Sequence, residues 1–267
     1  MQYILIFYYL GSIVLGFAVG SFLNCFIYRM EQGESLKGRS YCPNCKHTLN
    51  WLDLFPVFSF LFLSGRCRYC KKEISWQYPV VEFFTAYLFF LVFKFQLPLS
   101  QLVYFGIKDV ILLALVLYVT SSLIAIFVYD LKHFIIPDKI LFPAVGAGLL
   151  YQLIFDYNFL ISNAIFAAFS ASLFFFLMFI LSRGTWIGFG DVKLAILLGL
   201  ILGFPNILAG LFLAFLFGAI IGVFLLVLKN KGLKSEVPFA PFLIAGTFLA
   251  MFFGQQIVNW YLSFLYI

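Results

Sequence analysis

From Leu197 to Leu228 the chain runs without one charged residue, and that stretch dictates much of what it can fold into. A helix made from it is apolar on every side, a surface that only lipid or a deep core accepts. Runs of the same kind recur. About 20 apolar residues are needed to cross a bilayer as a helix. Segments of this kind fall at Tyr3–Tyr28, Val80–Phe95, Val110–Tyr129, Ile140–Phe155, Phe159–Leu181, Val192–Phe204, Ile207–Leu228 and Phe239–Phe264. A membrane barrel would instead show ~10-residue stretches of alternating polarity. Only 10% of the 267 residues are charged and 64% are apolar, whereas a soluble globule carries roughly a quarter charged residues. Soluble and disordered classes are both excluded. The fold class is all-α, a polytopic membrane protein with about eight transmembrane helices. Met1–Tyr9 has no basic segment and no cleavage site follows, so the first run is expected to remain as a helix.

One segment breaks the pattern. Arg29–Tyr78 holds Arg29, Lys37, Arg39, Lys46, Arg66, Arg68, Lys71 and Lys72 and four of the five cysteines, and is apolar only in its middle, Leu54–Leu63. It is a small extramembrane domain between the first two spans, too short to build a large core alone. Cytoplasmic loops carry an excess of Lys and Arg. With this segment inside and the spans alternating, Lys132, Lys139, Arg183, Lys193, Lys229, Lys231 and Lys234 also lie inside. Of the 17 Lys and Arg, only Lys94 and Lys108 then face out. Both termini are expected outside.

Cys42-Pro-Asn-Cys45 and Cys67-Arg-Tyr-Cys70 are two C-x-x-C knuckles separated by nearly a zinc-ribbon interval. Each such turn lets two thiolates approach one ion, and four thiolates complete a tetrahedron. Metal binding would also supply folding free energy that a small domain lacks. Two disulfides are disfavoured in a reducing cytoplasm, and a thioredoxin-like redox site lacks its βαβ surroundings. The expectation is a structural zinc on Cys42, Cys45, Cys67 and Cys70, with no open position for catalysis. Cys25, inside the first span, is a packing residue.

A carboxylate in a spanning segment costs about 2.5–3.5 kcal/mol at mid-bilayer, so each calls for a reason. Asp109 and Asp156 fall at outer span ends, where solvation is easy. Asp130 and Asp138 flank Leu131–Pro137, and Asp191 follows Gly188-Phe189-Gly190. Alternation puts all three at one membrane face, so carboxylates from different helices can meet there. Two carboxyls in contact share one proton, giving a base to activate water and an acid for a leaving amine. Gly188 and Gly190 would let a substrate strand approach closely. Lys193 is expected to snorkel beside Asp191 and make it the base of the pair. On the residues alone the alternative stays open that these aspartates are only caps and helix ends; Asp138 has the position of an N-cap. A zinc-sensing or cation-transporting protein using the same buried acids is a second reading, though a transport path would set acids near mid-membrane.

Taken together, these residues resemble the type 4 prepilin peptidases, bifunctional leader peptidases and N-methyltransferases of type IV pilus, type II secretion and competence systems. The matching pieces run in order: Gly20–Arg29, the paired knuckles around Trp51-x-Asp53 and Phe55-Pro56, Gly65-Arg66-Cys67, Ile74-Ser75, and Tyr78–Glu82. Then follow Tyr129-Asp130, Ile136-Pro137-Asp138, Gly188–Lys193 and Pro238–Pro241. The resemblance implies a first transmembrane helix (1–28), a zinc-binding cytoplasmic domain tied to methyl transfer (29–79) and a transmembrane aspartic peptidase domain (80–267). It implies Asp130 and Asp191 as the catalytic pair, with Asp138 a structural cap. It implies a prepilin or pseudopilin substrate cut at the cytoplasmic face of the bacterial inner membrane, in contact with lipid and not with nucleic acid. S-adenosylmethionine is implied as methyl donor, and Glu82 is a candidate to line the methylation site or to pair with Arg66 or Lys72. The chain departs from the family pattern at Cys25, Met30-Glu31, Phe60 and Lys71, all away from the dyad.

Overall fold

The computed structural model describes residues 2–96, 106–155, 163–228 and 237–265. Asp156, Lys229, Lys231 and Lys234 lie outside the described residues. The described residues are largely helical, with two isolated antiparallel bridges among them, Tyr41 to Thr48 and Arg66 to Glu73. The long helices are α1 (Gln2–Glu31), α3 (Gln77–Gln96), α4 (Ile107–His133), α5 (Asp138–Phe155), α6 (Asn163–Leu181), α7 (Phe189–Leu202), α8 (Asn206–Val227) and α9 (Ala240–Leu265). A short α2 (Phe58–Phe62) and a 3-10 turn at Trp51–Asp53 lie between α1 and α3. Each expected span therefore has its helix.

Among the described residues, six helices are long and apolar enough to cross a membrane: α1, α3, α4, α6, α8 and α9. Helix α5, 18 residues with Pro143 inside it, runs to the edge of the described residues at Phe155. Helix α7 has 14 residues, about 21 Å of rise against a hydrocarbon core of about 30 Å. It is instead the inner helix of its unit, with Val192, Leu194, Ala195, Leu197, Leu198 and Leu200 all buried.

The chain forms two compact units, Met1–Gly106 and Ile107–Ile267. Helix α3 thus groups with α1 in the first unit. In the first unit α1 and α3 are in backbone contact: a Cβ on Gly16 would lie 2.5 Å from Ala86 Cα, and one on Gly20 would lie 2.7 Å from Glu82 Cα. This is the small-residue packing that membrane helices use where lipid provides no hydrophobic drive. Aromatic pairs continue the seam, Tyr8 against Phe93 at 5.0 Å and Tyr9 against Phe90 at 5.3 Å.

The second unit repeats the device. A Cβ on Gly199 of α7 would meet Ala168 Cα of α6 at 2.3 Å. The α6 face there is small, with Ala164, Ala167, Ala168 and Ala171 all buried. Helices α8 and α9 close on Gly246, where a Cβ would lie 2.4 Å from the Gly210 carbonyl. Polar ties join elements as well: Gln152 Nε2 of α5 donates to the Leu200 carbonyl at 2.6 Å, and Asn163 exchanges two 2.7 Å bonds with the backbone of Phe204.

Candidate functional site

In the first unit the two knuckles fold as copies of one turn. The Lys46 N–H returns to the Cys42 carbonyl and the Lys71 N–H to the Cys67 carbonyl, each at 2.9 Å. The Cys42 and Cys67 N–H groups donate to the His47 and Lys72 carbonyls, also at 2.9 Å. Both lysines are left-handed, with φ of 57° and 59°. That conformation is what a glycine adopts without strain, which explains why glycine suits the position that Lys71 fills. The four sulfurs of Cys42, Cys45, Cys67 and Cys70 lie within 4.8 Å of one another, and Cys42 Sγ and Cys70 Sγ are 4.0 Å apart. A tetrahedral ion with bonds of about 2.3 Å to sulfur sets its ligands about 3.8 Å apart. The four thiols are free and fit one such ion.

The knuckles are locked together by a residue that sequence reasoning quoted without a role. Asp53 accepts from Arg68 Nε at 2.7 Å, from the Tyr69 hydroxyl at 3.0 Å and from the Asn50 N–H at 3.1 Å. Burial alone would raise the Asp53 carboxyl, but these donors outweigh it and hold its pKa below the ordinary value. Tyr69 also packs against His47, the two rings tilted with centroids 3.7 Å apart. Arg29 was missed as well. Its buried guanidinium ends α1 and donates to four carbonyls, those of Ser35, Lys37, Gly38 and Arg39, at 2.9–3.2 Å. A lone Arg closing an apolar run, just before a polar Gly- and Ser-containing loop, is the signal the sequence holds for that clamp.

Glu82 pairs with neither Arg66 nor Lys72. Its Oε2 accepts the Val57 N–H at 2.7 Å, and Ser21 bonds the same carboxylate. Val57 has φ of 60°, costly for a β-branched residue, and the buried carboxylate holds it there. Nearby, Asn24 Nδ2 donates to the Tyr78 carbonyl at 3.0 Å.

In the second unit, Asp130 closes the last turn of α4 and Asp191 sits in the first turn of α7. Their exposures are 4% and 8%. The two carboxylates, far apart in sequence, lie within electrostatic reach of each other. The Gly188 N–H also bonds the Asp191 carboxylate. What seats the two helix ends is the connection between α4 and α5. The Phe134 N–H returns to the Asp130 carbonyl at 2.9 Å with Phe134 left-handed, φ 58°. The chain then passes Ile136 across α7. A Cβ on Gly190 would lie 3.2 Å from Ile136 Cδ1 and 3.3 Å from its Cβ. Gly190 thus makes room for Ile136 and not for a substrate strand. Gly188 is different, because a Cβ there would meet Asp191 Oδ2 at an ordinary 3.7 Å.

Lys193 is not beside Asp191. Its Nζ donates to Asp138 Oδ1, joining α7 to the first residue of α5. The reason for naming Asp191 the base, a neighbouring ammonium, therefore disappears. Asp138 starts its helix and holds a neighbouring one, a structural role broader than a cap.

Comparison with known proteins fits this division. Residues 14–95 match the bacterial peptidase A24 N-terminal domain, and residues 117–223 match the type IV leader peptidase family. The prepilin leader peptidase/N-methyltransferase of Aeromonas salmonicida is 31% identical, over 92% of this chain and 90% of its own. The proteins of that name from Pseudomonas aeruginosa and Bacillus subtilis are each 30% identical, covering 96% and 94% of this chain and 93% and 96% of their own. The chain belongs to the type IV leader peptidase family. No solved structure matches it. The two matched regions fall one in each compact unit: the A24 N-terminal match holds the four cysteines, and the leader peptidase match holds Asp130 and Asp191. The transporter reading has no support from relatives that carry an enzyme's name.

Proposed function

We propose that this family member cleaves the leader peptide of type IV prepilin-like proteins with Asp130 and Asp191, and N-methylates the amino terminus so released. The observation that carries the reading is two buried carboxylates, from different helices of the second unit, close enough to act on each other electrostatically. Two such groups share one proton. The ionised aspartate takes a proton from water as its oxygen bonds to the scissile carbonyl carbon. The protonated aspartate gives its proton to the leaving nitrogen as the carbon–nitrogen bond breaks. The relatives' printed name, prepilin leader peptidase/N-methyltransferase, supplies the substrate class and the second activity.

The four cysteines hold zinc, whose preference for a tetrathiolate fits their spacing. The ion shapes the amino-terminal unit and takes no part in the chemistry. S-adenosylmethionine is the methyl donor by family relation and would supply an electrophilic methyl group. Glu82, with one oxygen on the Val57 N–H, is assigned to holding the fold, and no donor residue is named. Basic residues in the connections favour the zinc-bearing insert and the aspartate face inside, in the bacterial inner membrane.

The test is co-expression of a prepilin with Asp130→Asn, Asp191→Asn and Asp138→Asn variants, with the products read by mass spectrometry in the presence of S-adenosylmethionine. The first two variants are expected to lose cleavage, and Asp138→Asn to keep it. Complete processing by either of the first two would end the dyad assignment.

A further inference from the structure

The insert between α1 and α3 carries an apolar surface that nothing in the amino-terminal unit covers. In Phe55–Phe62 only Phe60 turns inward. It is buried, packs at a tilt on Trp76 with ring centroids 4.9 Å apart, and faces Gly65, where a Cβ would lie 3.1 Å from its ring. Phe55, Phe58, Leu61 and Phe62 all face out, and Phe62 is 85% exposed. Trp51 and Trp76, also exposed, flank them. Contiguous exposed apolar surface of this kind marks a contact with another phase or molecule.

The depth of the segment identifies its partner. The Val57 N–H is bonded to Glu82, which lies inside the candidate span Gln77–Phe95, five residues past the start of α3. At about 1.5 Å per residue this is about 7.5 Å along the helix. A segment in the interface plane buries its apolar face about 5–10 Å into the boundary between headgroups and acyl chains. At the same level α3 leaves Val80, Phe83 and Phe84 exposed, so this depth of the unit presents apolar surface on the spanning helix as well as on the insert. Tryptophans at the rim and basic Arg66, Arg68, Lys71 and Lys72 just beyond are the residues that anchor to headgroups.

We propose that Phe55–Phe62 lies in the bilayer interface, with Phe55, Phe58, Leu61 and Phe62 among the lipid acyl chains and the metal knuckles held against the headgroups. The buried Glu82 carboxylate is then a latch that fixes the depth of the segment through Val57. Lipid, and not an apolar substrate helix or a second copy of the chain, is the resident occupant.

The full-length protein in vesicles of phosphatidylethanolamine and phosphatidylglycerol tests this, with Phe62→p-benzoyl-phenylalanine as a photo-crosslinker and no substrate present. Position 62 is exposed, so the change leaves the fold intact; retained metal confirms it. The expected product is a phospholipid adduct at 62, repeated with Phe58→p-benzoyl-phenylalanine and lost with Leu36→p-benzoyl-phenylalanine, which probes an exposed site elsewhere on the insert. Adducts to a second copy or to residues 107–267, equal lipid labelling at 36 and 62, or no adduct at either 58 or 62 would each overturn the proposal.

Discussion

Lys193, two residues after Asp191 on α7, spends its charge on Asp138 at the head of α5. The buried pair on α4 and α7 is therefore flanked by an ion pair that joins α7 to α5 and takes the lysine's charge away from both buried carboxylates. Both partners of the outer pair are partly exposed, so its net contribution is small, about 0–1 kcal/mol. Asp138→Asn and Lys193→Met should each lower the thermal midpoint by only a few degrees and retain prepilin cleavage. If Lys193→Met abolished cleavage while the fold persisted, the lysine would have a role beyond fastening.

Gly188 and Gly190 should respond differently to the same substitution. Gly190→Ala presses a methyl onto Ile136 and is expected to destabilise the second unit by about 1–3 kcal/mol. The Gly190→Ala/Ile136→Val double variant should recover part of that loss, because Cδ1 is removed. Gly188→Ala meets only an ordinary contact and should stay within about 1 kcal/mol of wild type. Thermal unfolding in detergent reads all three.

Arg29→Lys keeps the charge but cannot reach four carbonyls from one planar group. The variant is expected to be about 1–3 kcal/mol less stable, with faster amide exchange confined to the Gly33–Arg39 loop. Hydrogen exchange of the full chain followed by peptide mass analysis measures it. An unchanged exchange pattern would show that the loop orders without its clamp.

The metal domain should weaken with acid in a way that depends on Asp53. A carboxyl whose folded pKa lies below its unfolded value stabilises the fold above the unfolded range, and that contribution is lost as pH falls through the folded value. Asp53→Asn is therefore expected to cost most near neutral pH, the gap to wild type closing below about pH 4. Metal analysis should find near-equimolar zinc, lost in Cys42→Ser and kept in Cys25→Ser. Metal-free protein that folds normally would remove the zinc assignment.

Much of this architecture was legible residue by residue. Helix α8 follows from an uncharged run, and the knuckles follow from C-x-x-C spacing, because hydrophobicity and turn closure act over a few residues. That Asp130 and Asp191 belong at one face followed from counting spans. Helix α7 was harder, since an apolar run of 14 residues reads alike whether lipid or protein surrounds it.

Which partner each polar group found was decided only by the fold. Glu82 reaching Val57, Arg68 reaching Asp53, Lys193 choosing Asp138 over Asp191, and Gly190 admitting Ile136 are all long-range choices. They depend on how closely helices cross, and the crossings are set by contacts such as Gly199 on Ala168 and Gly20 on Glu82. Composition determines that these helices form and that lipid takes their flanks. It carries no information on helix rotation and depth, which emerge only when backbones pack against one another.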